Sequence, residues 1–289
     1  MVFKNNKPLV SIVIPSYNQG IFIEDTILSI LNQTYKRIEI IVCDGMSTDS
    51  TVSVLKKFDD KITWISEKDT GQPNAINKGF GMSSGEILTF LNSDDVLIDK
   101  RAVEIMVDKF IKNPKSDLVY GDFIEIDKDN KFLRAYKRPN FSYRRLLRIG
   151  YISQPATFFT KDLISKFSLN ENLQYGLDLE LWLKAYVAGF KYSKVSCFVA
   201  AERLHDEAKG VGQNAKQSSE AKKIRIEYGA TFSRLHNFLR IIDRAVLYAY
   251  RIFGVFYIRT LTKNSSIQIN YKGSIKATIS PASLPEKFI

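Results

Sequence analysis

The sequence is poor in the side chains that form cross-links and cysteine-rich metal sites. Its 289 residues include two cysteines, Cys43 and Cys197, and two histidines. Each cysteine stands within an apolar segment, which argues against a disulfide framework and against a cysteine-ligated metal centre. Such sparse cysteine usage is typical of a protein of the reducing cytoplasm, where we expect this one to act.

Long apolar runs and acidic residues are also scarce. We expect no membrane-spanning stretch and no signal peptide, because the segment MVFKNNKPLVSIVIP has too short an apolar run and no small-residue cleavage site. Asp and Glu number 31 against 42 Lys and Arg, which gives a net charge of +11. This excess predicts an anionic partner: a nucleic acid, a phosphorylated substrate or an acidic membrane surface.

Apolar β-branched runs alternate with helical patterns through the first third of the chain. This rhythm predicts an α/β fold with a Rossmann-like, mainly parallel sheet flanked by helices. Because the carboxyl ends of parallel strands meet at one edge, polar residues that follow the strands should converge there. They are Ser16, Tyr17 and Asn18 after the first strand, Asp44 after the second, Asp69 after the third, and Asp94 and Asp95 after the fourth.

Later segments predict a strand pair, a basic helix, a helix near Leu177 to Ala188 and a strand at 191–201. The polar segment RLHDEAKGVGQNAKQSS predicts a loop over the site. We expect a catalytic domain at 1–215, with halves at about 1–98 and 99–215, then a basic amphipathic helical extension at 216–263 and a polar tail at 264–289.

Seven segments, in order, resemble the inverting glycosyltransferases of family 2, which have the GT-A fold. They are VSIVIPSYNQGIFIEDTILSILNQTY, IEIIVCDGMSTDST, SEKDTGQPNAINKGF, GEILTFLNSDD, ISQPATFF, YGLDLELWLK and RLHDEAK, and they cover roughly residues 9–210. The resemblance implies transfer of a hexose or N-acetylhexosamine from a UDP-sugar to a sugar hydroxyl. Many acceptors of this family are lipid-linked glycans, so it also implies a role in cell-surface polysaccharide synthesis.

The resemblance assigns the nucleotide-sugar pocket to the strand ends. Asp44 would accept the N3 hydrogen of uracil in a charge-assisted bond, unless it only caps the loop before Ser47. Tyr17 would offer an aromatic face, although a packed core tyrosine fits the same pattern. Arg203 and Lys209 would bring positive charge to the diphosphate. The other predicted pocket residues are Pro15, Ser16, Asn18, Asp69, Gln72, Asn74, Asn92 and Ser93.

The stretch NSDD, Asn92 to Asp95, departs from the family's Asp-any-Asp pattern at its first position, where asparagine brings no charge. The resemblance makes Asp94 a ligand of Mn²⁺ or Mg²⁺, which stabilises negative charge on departing UDP. Asp95 either assists the metal or caps the following helix. His205 either completes the metal shell or is structural. Taken alone, NSDD is equally typical of an ordinary turn.

Asp178, in YGLDLELWLK, precedes an apolar helical face and has two interpretations. As a structural residue, it would be the N-cap of that helix. The resemblance instead makes it the general base that takes the proton from the acceptor hydroxyl. Glu180 would point elsewhere on a helix and is the weaker candidate.

The segment that begins at Phe232 predicts an amphipathic helix. Its two faces carry Arg240, Arg244 and Arg251 on one side and Leu235, Leu239, Ile242, Val246 and Phe253 on the other. Such a helix either packs on the catalytic domain with its arginines in solvent or lies in an anionic membrane interface. Lipid-linked acceptors favour the second interpretation, a peripheral protein at the inner face of the membrane.

Three other functional classes make different demands on the sequence. A non-catalytic sugar-nucleotide-binding subunit of a glycan assembly complex fits the asparagines at 92 and 74 but has no need of Asp94, Asp178 and His205. An NAD-dependent dehydrogenase requires Gly-x-Gly-x-x-Gly where PSYNQG stands. Nucleic acid is not the expected partner, because acidic strand ends repel phosphate unless a metal intervenes.

Overall fold

The computed structural model describes residues 7–206, 208 and 214–261, so that Lys209 and the predicted tail at 264–289 lie outside the described residues. One sheet contains strands β1 Val10–Ser16, β2 Ile38–Asp44, β3 Thr63–Ser66, β4 Ile87–Phe90, β5 Val96–Leu97, β6 Leu118–Asp127, β7 Phe132–Tyr136, β8 Thr157–Thr160 and β9 Tyr192–Leu204. The helices are α1 Ile23–Leu31, α2 Thr51–Leu55, α3 Gln72–Met82, α4 Ala102–Lys112, α5 Tyr143–Arg148, α6 Lys161–Lys166, α7 Leu177–Val187, α8 Asn214–Glu227 and α9 Arg234–Leu261. Short 3-10 turns lie at Lys56–Phe58 and Gln154–Ala156.

The sheet has the order β3-β2-β1-β4-β8-β6-β9-β5, with β7 paired to β6. Its first four strands are parallel, as the βαβ rhythm predicted. Strand β8 is antiparallel to both β4 and β6, and β9 is parallel to β6. Two reversals of direction restore the original one, so β9 ends at the same edge as β1 and β4. This topology brings the segment after β9 to the strand ends that carry the predicted site.

Helices cover both faces of the sheet. The residues of β1 are all buried, with Ile12 and Ile14 packed in a core that includes α1 and α4, while Val13 belongs to the core of the opposite face with α3 and α7. Because both faces are covered, the strand is apolar almost throughout and only its last residues can meet a ligand. Both cysteines are free, and burial raises the pKa of the Cys43 thiol to about 11.

Helix α9 docks on the sheet domain through one face. Gly254 lies against Ala135 of β7, where a Cβ atom would come within 3.2 Å of the alanine Cβ and carbonyl oxygen. The Asp243 carboxylate accepts hydrogen bonds from Arg145 at 3.0 Å and Arg148 at 2.5 Å, both on α5. A buried carboxylate that joins two arginines fixes the rotation of α9 about its axis.

Two features differ from the sequence-based expectation for the segment RLHDEAKGVGQNAKQSS. Strand β9 continues through Leu204, held by its pairing with Asp127, and α8 begins at Asn214. The predicted loop therefore does not include Arg203 and Leu204 or the residues of α8. None of the helices in the described part of the chain has the length and apolarity needed to traverse a bilayer.

Candidate active site

A cavity of about 990 Å³ opens at the strand-end edge of the sheet. Its lining combines residues from the ends of β1, β2, β4 and β9 with residues that the second half of the chain contributes. The predicted site residues among them are Pro15, Ser16, Tyr17, Asp69, Gln72, Asn92, Ser93, Asp94, Asp95, Asp178 and Arg203. The sheet edge thus gathers most of the predicted constellation into one recess.

Asp94 and His205 meet at the cavity. The Nε2 atom of His205 lies 3.0 Å from Oδ2 of Asp94, and the imidazole packs against the ring of Phe22 at 4.6 Å. The Asp94 side chain is 19% exposed and that of His205 is 6% exposed, so a ligand in the cavity can reach Asp94. A carboxylate oxygen is a hard metal ligand and an imidazole nitrogen is a borderline one, so the two atoms form a mixed pair of candidate metal ligands.

Asp95 is buried behind this pair. Its carboxylate accepts hydrogen bonds from the backbone N–H of Arg203 at 3.0 Å and from Nδ2 of Asn92 at 3.1 Å. Burial raises its pKa well above the usual range, and the Asp94 charge adds to that effect. The helix-cap alternative is wrong, because α4 begins at Ala102 with Arg101 as its N-cap. Asp95 therefore ties the end of β9 to the NSDD turn.

Arg203 lines the cavity, but its side chain is bound by other protein groups. Its guanidinium is fully buried, donates from Nε to the Asp94 carbonyl at 2.8 Å, and pairs with Asp25 at 3.4 Å. Because protein acceptors bind the guanidinium, fewer of its donors are left for a diphosphate, and the contact between Arg203 and the diphosphate stays a prediction. The side chain fixes the backbone of Asp94 and stacks on Phe22 at 4.9 Å.

The first wall of the cavity contains an exposed aromatic ring and an unpaired hydroxyl. Tyr17 is 61% exposed, so it is not a packed core tyrosine. Oγ of Ser16 is buried with no hydrogen-bond partner in the described part of the chain. A buried hydroxyl without a partner at a cavity wall is a position where a ligand can supply the missing bond.

Asp44 and Asn18 support this wall from behind rather than line it. The Asp44 carboxylate is buried and accepts from the Ser47 backbone N–H at 2.9 Å and from the Ser66 hydroxyl at 2.6 Å. Asn18 has a positive φ of 53° and donates its N–H to Ser47 Oγ at 2.7 Å. These bonds hold the turn at Gly45, which does line the cavity. The capping interpretation of Asp44 matches these contacts.

The helix after β3 contributes one cavity side chain and one structural side chain. Gln72 donates from Nε2 to Oδ1 of Asn92 at 2.7 Å, which joins α3 to the NSDD turn. Asn74 donates to Glu171 at 3.0 Å and is absent from the cavity lining. Asp69 accepts from the Gly71 N–H at 2.8 Å and holds the turn into α3.

Asp178 lines the same cavity as Asp94 and lies on the first turn of α7. It is not the N-cap, a position that Gly176 occupies. Burial raises the pKa of its carboxyl to about 6, while the backbone N–H groups of Leu179 and Asp178 and the charge of Arg225 oppose that shift. Glu180 points elsewhere, in an ion pair with Lys184 at 3.1 Å. A carboxyl with a pKa near neutrality suits a general base.

The cavity lining that was not predicted from the sequence includes three polar residues with notable surroundings, Glu202, Ser153 and Arg138. Burial raises the pKa of Glu202 to about 7, and its carboxylate accepts a short hydrogen bond from the Ser153 hydroxyl. Arg138 lies over the rings of Phe123 and Tyr136 at 4.6 and 5.0 Å, and its buried Nε has no partner in the described part of the chain. Ser153 lies within the motif ISQPATFF and Glu202 directly precedes RLHDEAK, whereas no local signal marks Arg138.

The donor set fits a small divalent cation. The described residues contain no group of three or more His, Cys, Asp or Glu side chains placed to hold a metal, so Asp94 and His205 would supply two ligands. Mg²⁺ and related ions are commonly bound by one or two protein ligands together with substrate phosphates and water. Two protein donors beside an open cavity are consistent with that kind of site.

The fold and the cavity define an α/β protein with a ligand site at the carboxyl ends of its strands. Residues 11–173, more than half of the chain, match the family described as Glycosyl transferase family 2. The chain therefore belongs to glycosyl transferase family 2, and the predicted family is confirmed.

Two proteins similar to this chain are glycosyltransferases whose names include their substrates. The GalNAc(5)-diNAcBac-PP-undecaprenol beta-1,3-glucosyltransferase of Campylobacter jejuni is 32% identical over 62% of this chain and 60% of its own length. The UDP-Glc:alpha-D-GlcNAc-diphosphoundecaprenol beta-1,3-glucosyltransferase WfgD of Escherichia coli is 33% identical over 61% and 68%. The chain spans only 20% to 28% of the length of the chondroitin and hyaluronan synthases that it also matches.

Solved structures share the fold at low identity. Staphylococcus aureus TarS 1-349, in complex with UDP-GlcNAc, matches with a TM-score of 0.62 at 19% identity, over 79% of this chain and 69% of the other. The Pyrobaculum calidifontis mannosyltransferase PcManGT, in complex with GDP-Man and Mn²⁺, matches with a TM-score of 0.59 at 15% identity, over 92% and 90%. The predicted GT-A fold is confirmed.

Proposed function

We propose that this chain is a metal-dependent, inverting glycosyltransferase that moves a hexose or N-acetylhexosamine from a UDP-sugar to a hydroxyl of a lipid-linked glycan, in cell-surface polysaccharide synthesis. The observation that carries the proposal is that Asp178, with its raised pKa, lines the same cavity as Asp94, whose carboxylate meets His205. One recess thus contains a candidate base and a candidate metal pair.

The nucleotide would lie along the first wall of the cavity. Tyr17 offers an exposed ring for the base, and Ser16 offers an unpaired hydroxyl. Asp44 remains our candidate for the uracil N3 hydrogen, with the Ser66 hydroxyl as the group that must yield to it. Asn92 and Gln72 would face the ribose, and Asp69 the sugar. Lys68 also lines this region and is a candidate diphosphate contact.

Asp94 and His205 would hold Mn²⁺ or Mg²⁺, with Asp95 fixing the turn that carries Asp94. The ion would supply positive charge that stabilises the diphosphate as UDP departs. The complex of PcManGT with GDP-Man and Mn²⁺ supports the metal, and the undecaprenol-linked substrates in the names of the two bacterial relatives support the acceptor class.

In the reaction, the acceptor oxygen forms a bond to the anomeric carbon while the bond from that carbon to the β-phosphate oxygen breaks. The bonding electron pair leaves with UDP, and the acceptor proton passes to a carboxylate oxygen of Asp178. A single displacement of this kind inverts the anomeric centre. Arg138 and Glu202 lie in the same cavity and are candidates for orienting the acceptor sugar.

The exposed face of α9 supports peripheral attachment to an anionic membrane. Its docked face holds Asp243 and Gly254 against the domain, so the apolar side faces outward. The exposed large side chains along it are Leu235, Phe238, Ile241, Ile242, Tyr248, Tyr250, Ile252, Phe253 and Phe256. Such an apolar stripe exceeds what isolated surface residues explain, and a membrane interface is the occupant that a lipid-linked acceptor requires.

A screen of sugar nucleotides tests the proposed function. The purified chain, Mn²⁺ and a lipid extract containing diphosphate-linked glycans should release UDP from at least one UDP-sugar, and chelation of the metal should abolish release. Release from GDP-sugars but from no UDP-sugar would contradict the donor assignment, and release unaffected by chelation would contradict the metal assignment.

A further inference from the structure

A second cavity, of about 720 Å³, lies between α5, α8 and α9 and is strongly basic. We call it the basic cavity. It is lined by the cationic side chains Arg148, Lys222, Arg225, Arg240 and Arg244, and none of its described lining residues carries a carboxylate. Five cations facing one recess repel one another unless an anion lies between them.

Few protein groups neutralise these cations. Asp243 binds Arg148, but it is shared with Arg145 outside the cavity. Arg225 donates from Nε to the Leu146 carbonyl at 3.3 Å, and Lys222 lies over the Phe232 ring at 5.4 Å. The buried Nε of Arg240 has no hydrogen-bond partner in the described part of the chain. A buried guanidinium nitrogen without an acceptor implies a ligand that supplies one.

The basic cavity adjoins the candidate active site. Gly150 lines both cavities, and the positive charge of Arg225 acts on the carboxyl of Asp178. On its other side, Arg240 and Arg244 belong to α9, whose exposed face includes Phe238 and Ile241. An anion in this cavity would therefore lie between the candidate base and the apolar face of α9.

We infer that the basic cavity binds the phosphate groups of the acceptor, a diphosphate that joins a lipid tail on the α9 side to a sugar at Asp178. This inference rests on the proposed function. Guanidinium and ammonium donors match the many acceptor oxygens of a diphosphate. The same chemistry would suit the phosphate headgroup of a membrane lipid, so the test must distinguish the two sources.

The test measures inorganic pyrophosphate binding by calorimetry, in EDTA, with the full chain. The cavity variant carries Lys222→Gln and Arg244→Gln, two exposed positions whose replacement does not disturb the core. The matched control carries Lys223→Gln and Arg234→Gln, which remove equal charge from the same two helices outside the cavity lining. We expect the wild type and the control to bind alike, and the cavity variant to bind at least about 10-fold more weakly, since it removes two of the five cations that line the cavity.

Absence of pyrophosphate binding by the wild type, or equal weakening in both variants, would overturn the inference. Vesicles of phosphatidylglycerol and phosphatidylcholine test the lipid-headgroup source. We expect pyrophosphate to leave vesicle binding unchanged; if pyrophosphate displaces the vesicles, and the cavity variant alone loses them, the cavity binds a headgroup instead. Calorimetry of UDP with Mn²⁺ on the same proteins, without EDTA, reports on the donor site, so failure of this inference is distinguishable from failure of the proposed function.

Discussion

Nε2 of His205 lies 3.0 Å from Oδ2 of Asp94, although the two residues are 111 positions apart in the chain. The contact exists because β9 runs in the same direction as β4 and ends at the same edge of the sheet. Asp95 reinforces it by binding the backbone N–H of Arg203, two residues before the histidine. A pair built in this way has a defined geometry before any ligand arrives.

We predict that Asp94→Ala weakens Mn²⁺-dependent UDP binding by at least about 10-fold and abolishes turnover, because it removes the one charged donor of the pair. His205→Ala should weaken binding less, since a water can replace a neutral ligand. Calorimetry with and without Mn²⁺ measures both. Asp60→Ala is the control, because it removes an exposed carboxylate that does not line the cavity. Unchanged metal-dependent affinity in a folded Asp94→Ala protein removes Asp94 from the metal site.

The raised pKa of Asp178 predicts a pH dependence of activity. Its carboxyl has a pKa of about 6 and must be ionised to accept a proton, so kcat/KM should rise with pH through about 6 and then level. Glu202 titrates nearby, at about 7, and Glu202→Gln separates the two groups. The rise near pH 6 should persist in that variant. Its disappearance there would assign the acidic limb to Glu202.

Glu202 should lower stability at alkaline pH. The pKa of Glu202 in the folded protein, about 7, exceeds the ordinary value of 4.5. The contribution of Glu202 to the free energy of unfolding is therefore complete below about pH 4.5 and is lost as pH rises through 7. Glu202→Gln does not titrate and should be more stable than the wild type at about pH 8, by roughly 1–3 kcal/mol, with no gain near pH 4. Urea unfolding at both pH values measures this, with the exposed Glu227→Gln as control. An equal gain at both pH values would point to packing rather than ionisation.

The exposed face of α9 predicts membrane binding that does not depend on fold stability. Replacement of Leu235, Phe238 and Ile241 by serine should reduce co-sedimentation with phosphatidylglycerol vesicles at least about 10-fold, because each buried apolar side chain contributes roughly 1.5–3 kcal/mol. The melting temperature should change little, since all three side chains are at least 60% exposed.

The control for this variant is Val187→Ser with Ile226→Ser, which removes exposed apolar side chains from α7 and α8. We expect it to bind vesicles like the wild type. If the α9 variant keeps full vesicle binding, or if the wild type binds none at low salt, the membrane proposal is wrong. A lower melting temperature without a change in vesicle binding would mean that the apolar face packs within the protein.

The sequence predicted much of the fold because the signals for its first strands and turns lie in short, contiguous stretches of the chain. The apolar runs of β1 and β2 and the turns that follow them are decided by nearest neighbours, and the polar strand ends converge by topology alone. The direction of β9 is not local: it depends on two antiparallel pairings through β8, whose motif ISQPATFF has no strand-turn signal of its own. Helix α8 begins at Asn214, inside the segment predicted as a loop and just before the predicted helical extension at 216–263. Its stretch AKQSSEAKK is polar, and among its apolar residues only Ile224 is buried, so the apolar pattern does not mark where the helix begins.

The hydrogen-bond and ion-pair partners of the side chains were the least predictable part of the site. Arg203 is of a residue type that commonly binds phosphate. Its guanidinium, however, is bound by Asp25 and by the Asp94 carbonyl, partners that only the folded chain brings near. Arg138 is the reverse case, since nothing around it in the sequence marks a site residue, and its unpaired Nε becomes visible only with burial. The arginines of α9 were expected in solvent or at a membrane, whereas Arg240 lines the basic cavity and Arg251 lies over Tyr136 at 5.5 Å.

The Asp178→Asn variant tests the central claim most directly, because it separates transfer from donor binding. Asparagine keeps the size of the side chain and removes the base, so the rate of UDP release with acceptor present should fall roughly 10²- to 10⁴-fold while Mn²⁺-dependent UDP binding stays unchanged. Asp162→Asn, at an exposed position in the first turn of α6, is the matched control and should keep the wild-type rate. If the Asp178→Asn variant keeps the wild-type rate, the account is contradicted. It is also contradicted if the wild-type protein binds UDP-sugar but never releases UDP, which is the behaviour of a non-catalytic binding subunit.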